Sequence, residues 1–128
     1  MYFHINAQGD VEPCVFCHFA SDNIQGKSLL EVLDSPFFRE IRYRQPYLKN
    51  LLRPCMLIDC PEIGSEMVSL PGTYFTHPGA ETFFSHLSQS IDQYAREYGA
   101  IADQVWEGIS GNEKGKDKAT AQKPKGER

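Results

Sequence analysis

At 128 residues the chain has room for one domain with one modest core. Six Lys/Arg and three Asp/Glu fall in residues 110–128, which leaves residues 1–109 with 7 basic and 14 acidic groups, a net −7. A body that acidic argues against nucleic acid as a partner, because phosphate contacts need a basic face. No stretch approaches the ~20 apolar residues of a membrane span, and residues 1–10 lack the basic start and apolar run of a signal peptide. The expected setting is therefore the cytoplasm, without a membrane, where thiols stay reduced.

The elements follow in chain order. Residues 2–6 alternate as a strand, residues 7–10 (AQGD) supply turn residues, and residues 11–16 return. Pro13 cannot donate to a ladder, so the second arm ends there or lies at an edge and delivers Cys14. Ser28 with Glu31 reads as a capping box for a short helix over 29–33. Ser35 as N-cap and Pro36 at the first helical position start another, which carries Phe37, Phe38 and Ile41 inward and ends at Pro46. Asp59 is a candidate cap for a third helix that begins at Pro61 and runs to about residue 70. Pro71-Gly72 and His77-Pro78-Gly79 punctuate a loop. Phe83, Leu87, Ile91, Tyr94, Tyr98, Ile101, Val105 and Ile109 then mark one apolar stripe of a long amphipathic helix, expected to pack on the core. Gly99 within it is a place for a bend, since glycine costs about 1 kcal/mol relative to alanine. Residues 110–128 have no large apolar side chain and are expected to be a disordered tail. The fold class is thus α+β: a short N-terminal hairpin, several short helices and one long C-terminal helix.

Four cysteines in a reducing compartment favour metal chemistry over disulfides. Cys14-x-x-Cys17 can point both thiolates at one centre, with the loop amides reaching the sulfurs. After 37 residues comes a wider pair, Cys55 and Cys60. Such a set suits an iron–sulfur cluster or a structural zinc alike. Four unrelated thiols, or disulfides, are the plainer alternatives. His18 follows Cys17 directly and could replace one thiolate or bond a cluster sulfur, but His4, His18, His77 and His86 read first as structural or surface residues. No glycine-rich phosphate loop is present. Nothing selects a cysteine–histidine pair as nucleophile and base, and Glu62 with Glu66 falls at the spacing of a solvated helix face.

Residues 2–19, YFHINAQGDVEPCVFCHF, resemble the C-terminal extension of radical S-adenosylmethionine enzymes, the SPASM or "twitch" auxiliary-cluster module. The signature there is a strand, an N-x-x-G-D/N turn, a strand reading V-x-P-C, and a helix. Asn23-Ile24, Ser28-Leu29, the run Ser35 to Arg42, and Cys55 continue the resemblance to about residue 70. It implies an auxiliary [4Fe-4S] cluster, with zinc as the alternative, held by Cys14, Cys17, Cys55 and Cys60. Cys14 and Cys55 match most directly. It also implies a role in electron transfer or substrate anchoring beside a radical S-adenosylmethionine barrel. That barrel holds its own catalytic cluster through CxxxCxxC. This chain has no CxxxCxxC, so the barrel is expected in cis or in trans and the chain is not catalytic alone.

Overall fold

The computed structural model describes residues 2–120, with side chains to residue 111. Strand β1 (His4–Ile5) pairs antiparallel with β2 (Val11–Glu12), His4 opposite Glu12 and Ile5 opposite Val11. The expected hairpin is there with shorter arms. Its turn is held by the Asn6 side chain, which accepts from the amides of Gln8 and Asp10, each at 3.0 Å. Gly9 takes φ +88°, where a Cβ would lie 2.9 Å from Asn23 Oδ1. The turn thus needs glycine both for its backbone and for its seat against Asn23.

A second small sheet was not expected. Strand β3 (Phe19–Ala20) pairs antiparallel with β4 (Tyr74–Phe75), inside the stretch read as loop. It ties the end of the cysteine turn to the segment before the C-terminal helices.

The helices α1 (Leu29–Leu33) and α2 (Pro36–Arg44) start where their caps predict. Glu31 accepts from the Ser28 amide at 2.8 Å while Ser28 Oγ accepts from the Glu31 amide. Helix α3 (Pro61–Val68) starts at Pro61 as expected, but its N-cap is Cys60, which makes no side-chain cap bond. The Asp59 carboxylate is used elsewhere: it accepts from the Cys55 amide at 2.8 Å.

The single long helix expected after residue 80 is two. Helix α4 (Thr82–Ser85) closes, and α5 (Ser88–Thr120) follows. Helix α5 runs through Gly99 without a break. The reason for glycine there is spatial, because a Cβ would fall 2.8 Å from the Arg53 guanidinium. Helix α5 also runs past residue 109, so the expected start of the tail is not an element boundary. Residues 121–128 lie outside the described residues.

The core gathers Val11, Cys17, Phe19, Val32, Phe37, Phe38, Ile41, Met56, Leu57 and Met67. Phe37 stands edge-on to both Phe19 and Phe38. Helix α5 meets the body through small residues: Ala95, Gly99 and Ala102 are buried. Its large apolar stripe is not core, contrary to expectation. Leu87, Tyr94, Ile101 and Val105 are 46 to 63% exposed. A helix can approach closely only where its side chains are short, and here the short side chains lie beside the apolar stripe rather than on it.

Asp10 joins the hairpin to β4. Burial pushes its carboxyl up, but bonds from the Tyr74 hydroxyl (2.7 Å), the Asn23 amide (2.8 Å) and the Asn6 amide (3.0 Å) outweigh this and hold it below the usual carboxylate range. A carboxylate depressed in the folded state adds stability above its unfolded value of about 3.9, and that stability is lost as pH falls through the folded value. Asp10→Asn should therefore be less stable than the parent at pH 7, and the gap should narrow on acidification below pH ~4. Urea midpoints across that range test this; a gap independent of pH would overturn it.

Candidate metal centre

Two chain segments carry the cysteines. In the first, β2 ends at Glu12, just before Pro13, and the chain turns at once. The Cys17 amide donates to the Cys14 carbonyl at 3.0 Å, which closes the turn and lays both sulfurs on one side, 3.5 Å apart. The Phe16 amide points at Cys14 Sγ, 3.4 Å away. Cys17 is buried and Cys14 half-buried.

The second segment, residues 55–60, is a tight coil. The amides of Asp59 and Cys60 both donate to the Cys55 carbonyl at 3.1 Å, and the Leu57 amide points at Cys55 Sγ at 3.4 Å. Asp59 clasps the Cys55 amide from its side chain. Helix α3 closes on the coil through Gly64, whose amide donates to the Met56 carbonyl at 3.2 Å.

Cys14, Cys17 and Cys55 all pack against the same core cluster. Their mutual nearness shows in their chemistry. The Cys17 thiol donates to Cys14 and holds it down to about 6, against the opposing effect of burial. Giving that proton to Cys14, together with burial and the nearby Cys14 and Cys55, pushes Cys17 far up. Burial raises the Tyr47 phenol, and Cys17, Cys55 and Cys14 add to the shift, so Tyr47 also stands beside these three thiols. Cys60 lies at the N-cap of α3, fully buried. Burial pushes its thiol up to about 11, with Glu62 adding and Arg53 opposing.

Among the described residues no three His, Cys, Asp or Glu side chains converge closely enough to hold one metal ion. A single tetrahedral zinc needs its donors about 2.3 Å from one point. The donor set nonetheless fits an iron–sulfur group. It is all thiol, two of the sulfurs already receive backbone N–H groups, and Tyr47, Met56 and Leu57 belong to the same core cluster as Cys14, Cys17 and Cys55. Hydrogen bonds to the sulfurs and exclusion of solvent are the levers by which a protein tunes such a group.

Sequence reasoning missed a buried carboxylate beside the thiols. Glu12 is 2% exposed; one oxygen takes His4 Nδ1 at 2.7 Å, and the other accepts from the Thr76 hydroxyl. His18 Nδ1 lies 3.9 Å from that second oxygen, and the His18 ring lies against His77 with centroids 5.4 Å apart. The cross-strand pairing of His4 with Glu12 was the available signal, since facing residues in a hairpin interact. A cavity of about 110 Å³ adjoins Cys17, walled by Phe16, Phe19, Leu57, Phe83 and Phe84.

Residues 1–61 match the family model SPASM, an iron-sulfur cluster-binding domain. This part of the chain is similar to a SPASM-type module, a domain that binds an iron–sulfur cluster. The match ends at Pro61, the first residue of α3, so the coil 55–60 lies within it and α4 and α5 lie beyond it. No curated protein and no solved structure matches the chain. No helix among the described residues is long and apolar enough to cross a membrane.

The coil depends on Gly64. A Cβ there would lie 2.8 Å from the Met56 carbonyl oxygen, a backbone atom that cannot swing aside. Gly64→Ala should lose stability even though alanine is the better helix former by about 1 kcal/mol. Chemical denaturation reads the sign directly, and a more stable variant would show that the coil yields.

Proposed function

We propose that the chain holds one auxiliary [4Fe-4S] cluster through Cys14, Cys17, Cys55 and Cys60 and serves a radical S-adenosylmethionine barrel supplied in cis or in trans, in the cytoplasm. The observation that carries this is the SPASM match over the residues that bear all four cysteines. When bound, the group would supply one-electron transfer or a site for substrate. The chain's own residues do the rest. The Phe16 and Leu57 amides are placed to stabilise negative charge on the Cys14 and Cys55 sulfurs. Cys60, fully buried at the start of α3, would be the fourth donor of the set. Phe83 and Phe84 wall the apolar cavity beside Cys17, while Cys14 stays open to solvent.

A partner is supported by α5. Leu87, Ile91, Tyr94, Tyr98, Ile101 and Val105 follow a 4-3-4-3-4 spacing, the seam of helices that pack side by side. Most of that seam is exposed, which favours docking on another protein surface. A protein-interaction module that uses this helix is the second reading, and it is compatible with the first. Structural zinc on the same thiols is the competing identity for the centre.

Protein purified without oxygen, or reconstituted with iron and sulfide, should be brown and should contain iron with acid-labile sulfide. Cys14→Ser and Cys55→Ser should lose the colour and the iron together. A colourless chain that retains zinc would overturn the cluster.

A further inference from the structure

Two sulfurs 3.5 Å apart in a closed four-residue turn are arranged for a chemistry other than ligation. Cys14 can be reached from solvent, whereas Cys17 is 1% exposed and cannot be attacked from outside. A disulfide has an S–S length of about 2.05 Å, so closure asks each side chain for a small rotation and leaves the turn intact. Cys55 and Cys60 share the pattern of one half-buried and one buried thiol, but among the described residues no sulfur–sulfur contact like that of Cys14 with Cys17 joins them.

We propose that, when the centre holds no metal, Cys14 and Cys17 act as an exchange-competent dithiol that closes to an intramolecular disulfide against a small-molecule disulfide such as oxidised glutathione. The Cys14 sulfur, as thiolate, attacks one glutathione sulfur; the glutathione S–S bond breaks, and one glutathione leaves as thiolate and takes a proton. The mixed disulfide on Cys14 then lies beside Cys17. Cys17 gives up its proton, its sulfur attacks that of Cys14, and the second glutathione leaves as thiolate and is protonated. The pair loses two electrons and two protons, and oxidised glutathione becomes two reduced molecules. The arrangement is that of an accessible attacking thiol with a buried resolving thiol behind it. It would hold the empty centre in a reversible state and keep Cys14 from the irreversible oxidation steps that follow sulfenic acid.

The sequence provides a clean readout. Trypsin leaves Cys14 and Cys17 on one peptide, residues 1–27, and Cys55 and Cys60 on another, residues 50–96, because the Arg53-Pro54 bond resists cleavage. The full chain is stripped with chelator and reductant, placed in a glutathione redox buffer, quenched with acid, alkylated and digested. The peptide of residues 1–27 should close to its disulfide, losing two hydrogens and escaping alkylation, about tenfold faster than the other pair. In guanidinium chloride that preference should vanish. Cys17→Ser should instead accumulate glutathione on Cys14. A peptide 1–27 that stays doubly alkylated, a cross-link to peptide 50–96, or a preference unchanged by denaturant would each overturn the proposal. None of these outcomes depends on whether the metal is iron or zinc. Slower exchange in the unstripped chain rests on the ligand reading above, and its failure would count against that reading alone.

Discussion

Arg53 holds the two halves of the molecule together. Its guanidinium lies on the backbone of α5 at Gly99 and donates to the carbonyls of Asp59 (3.0 Å) and Ala95 (3.4 Å). It also pairs with Asp103, which takes the Asn50 side chain as well, at 2.7 Å. One side chain thus spans the approach to Cys55, the end of the cysteine coil and the middle of the long helix. A planar fork with several fixed donors suits this work in a way that a lysine would not. Two of its bonds go to backbone carbonyls, so they fix the path of the chain rather than the position of another mobile side chain.

This explains why so small an amount of regular structure suffices. Each strand is two residues long, and a pair of such strands is marginal alone. The hairpin stands because Asp10 and Glu12 anchor it to β4 and to Thr76 through buried polar bonds. Buried polar groups of this kind are safe only when every partner is present, since an unsatisfied buried carboxylate would cost more than the bonds contribute. The molecule therefore resists local loosening around the cysteine turn, where a centre with several ligands needs a fixed frame.

What could be read from the sequence was local. The Ser28 and Glu31 box and the Ser35-Pro36 start are decided within one helical turn, and the structure has them. The pairing of β3 with β4 depends on two dipeptides far apart in sequence, with no turn to announce them. Asp59 has cap chemistry in the right place, but a closer donor, the Cys55 amide, takes its carboxylate. The stripe on α5 has true helical periodicity. Periodicity states that a helix has an apolar side, not that the protein's own core covers it. Ala95, Gly99 and Ala102, which do face the body, carry no hydrophobic signal strong enough to show that. The closeness of Cys14 and Cys17 was legible because their spacing is itself a local feature. The different depths of the four thiols, and Glu12 beside them, come from tertiary packing.

Those depths set the order in which a centre can assemble. Cys14 is half-open, and the hydrogen bond it accepts from the Cys17 thiol, with those from the amides of Phe16 and Cys17, lowers its pKa against the effect of burial. Cys17 and Cys60 are buried with their protons held tightly, and a sulfur must lose its proton to bind a metal. Entry should begin at the outer sulfur and draw protons from the inner ones as positive charge arrives. Occupation would then stabilise the packed state by the binding free energy that remains after those buried thiols have been deprotonated, so folding and loading of such a centre would be one coupled equilibrium rather than two separate events.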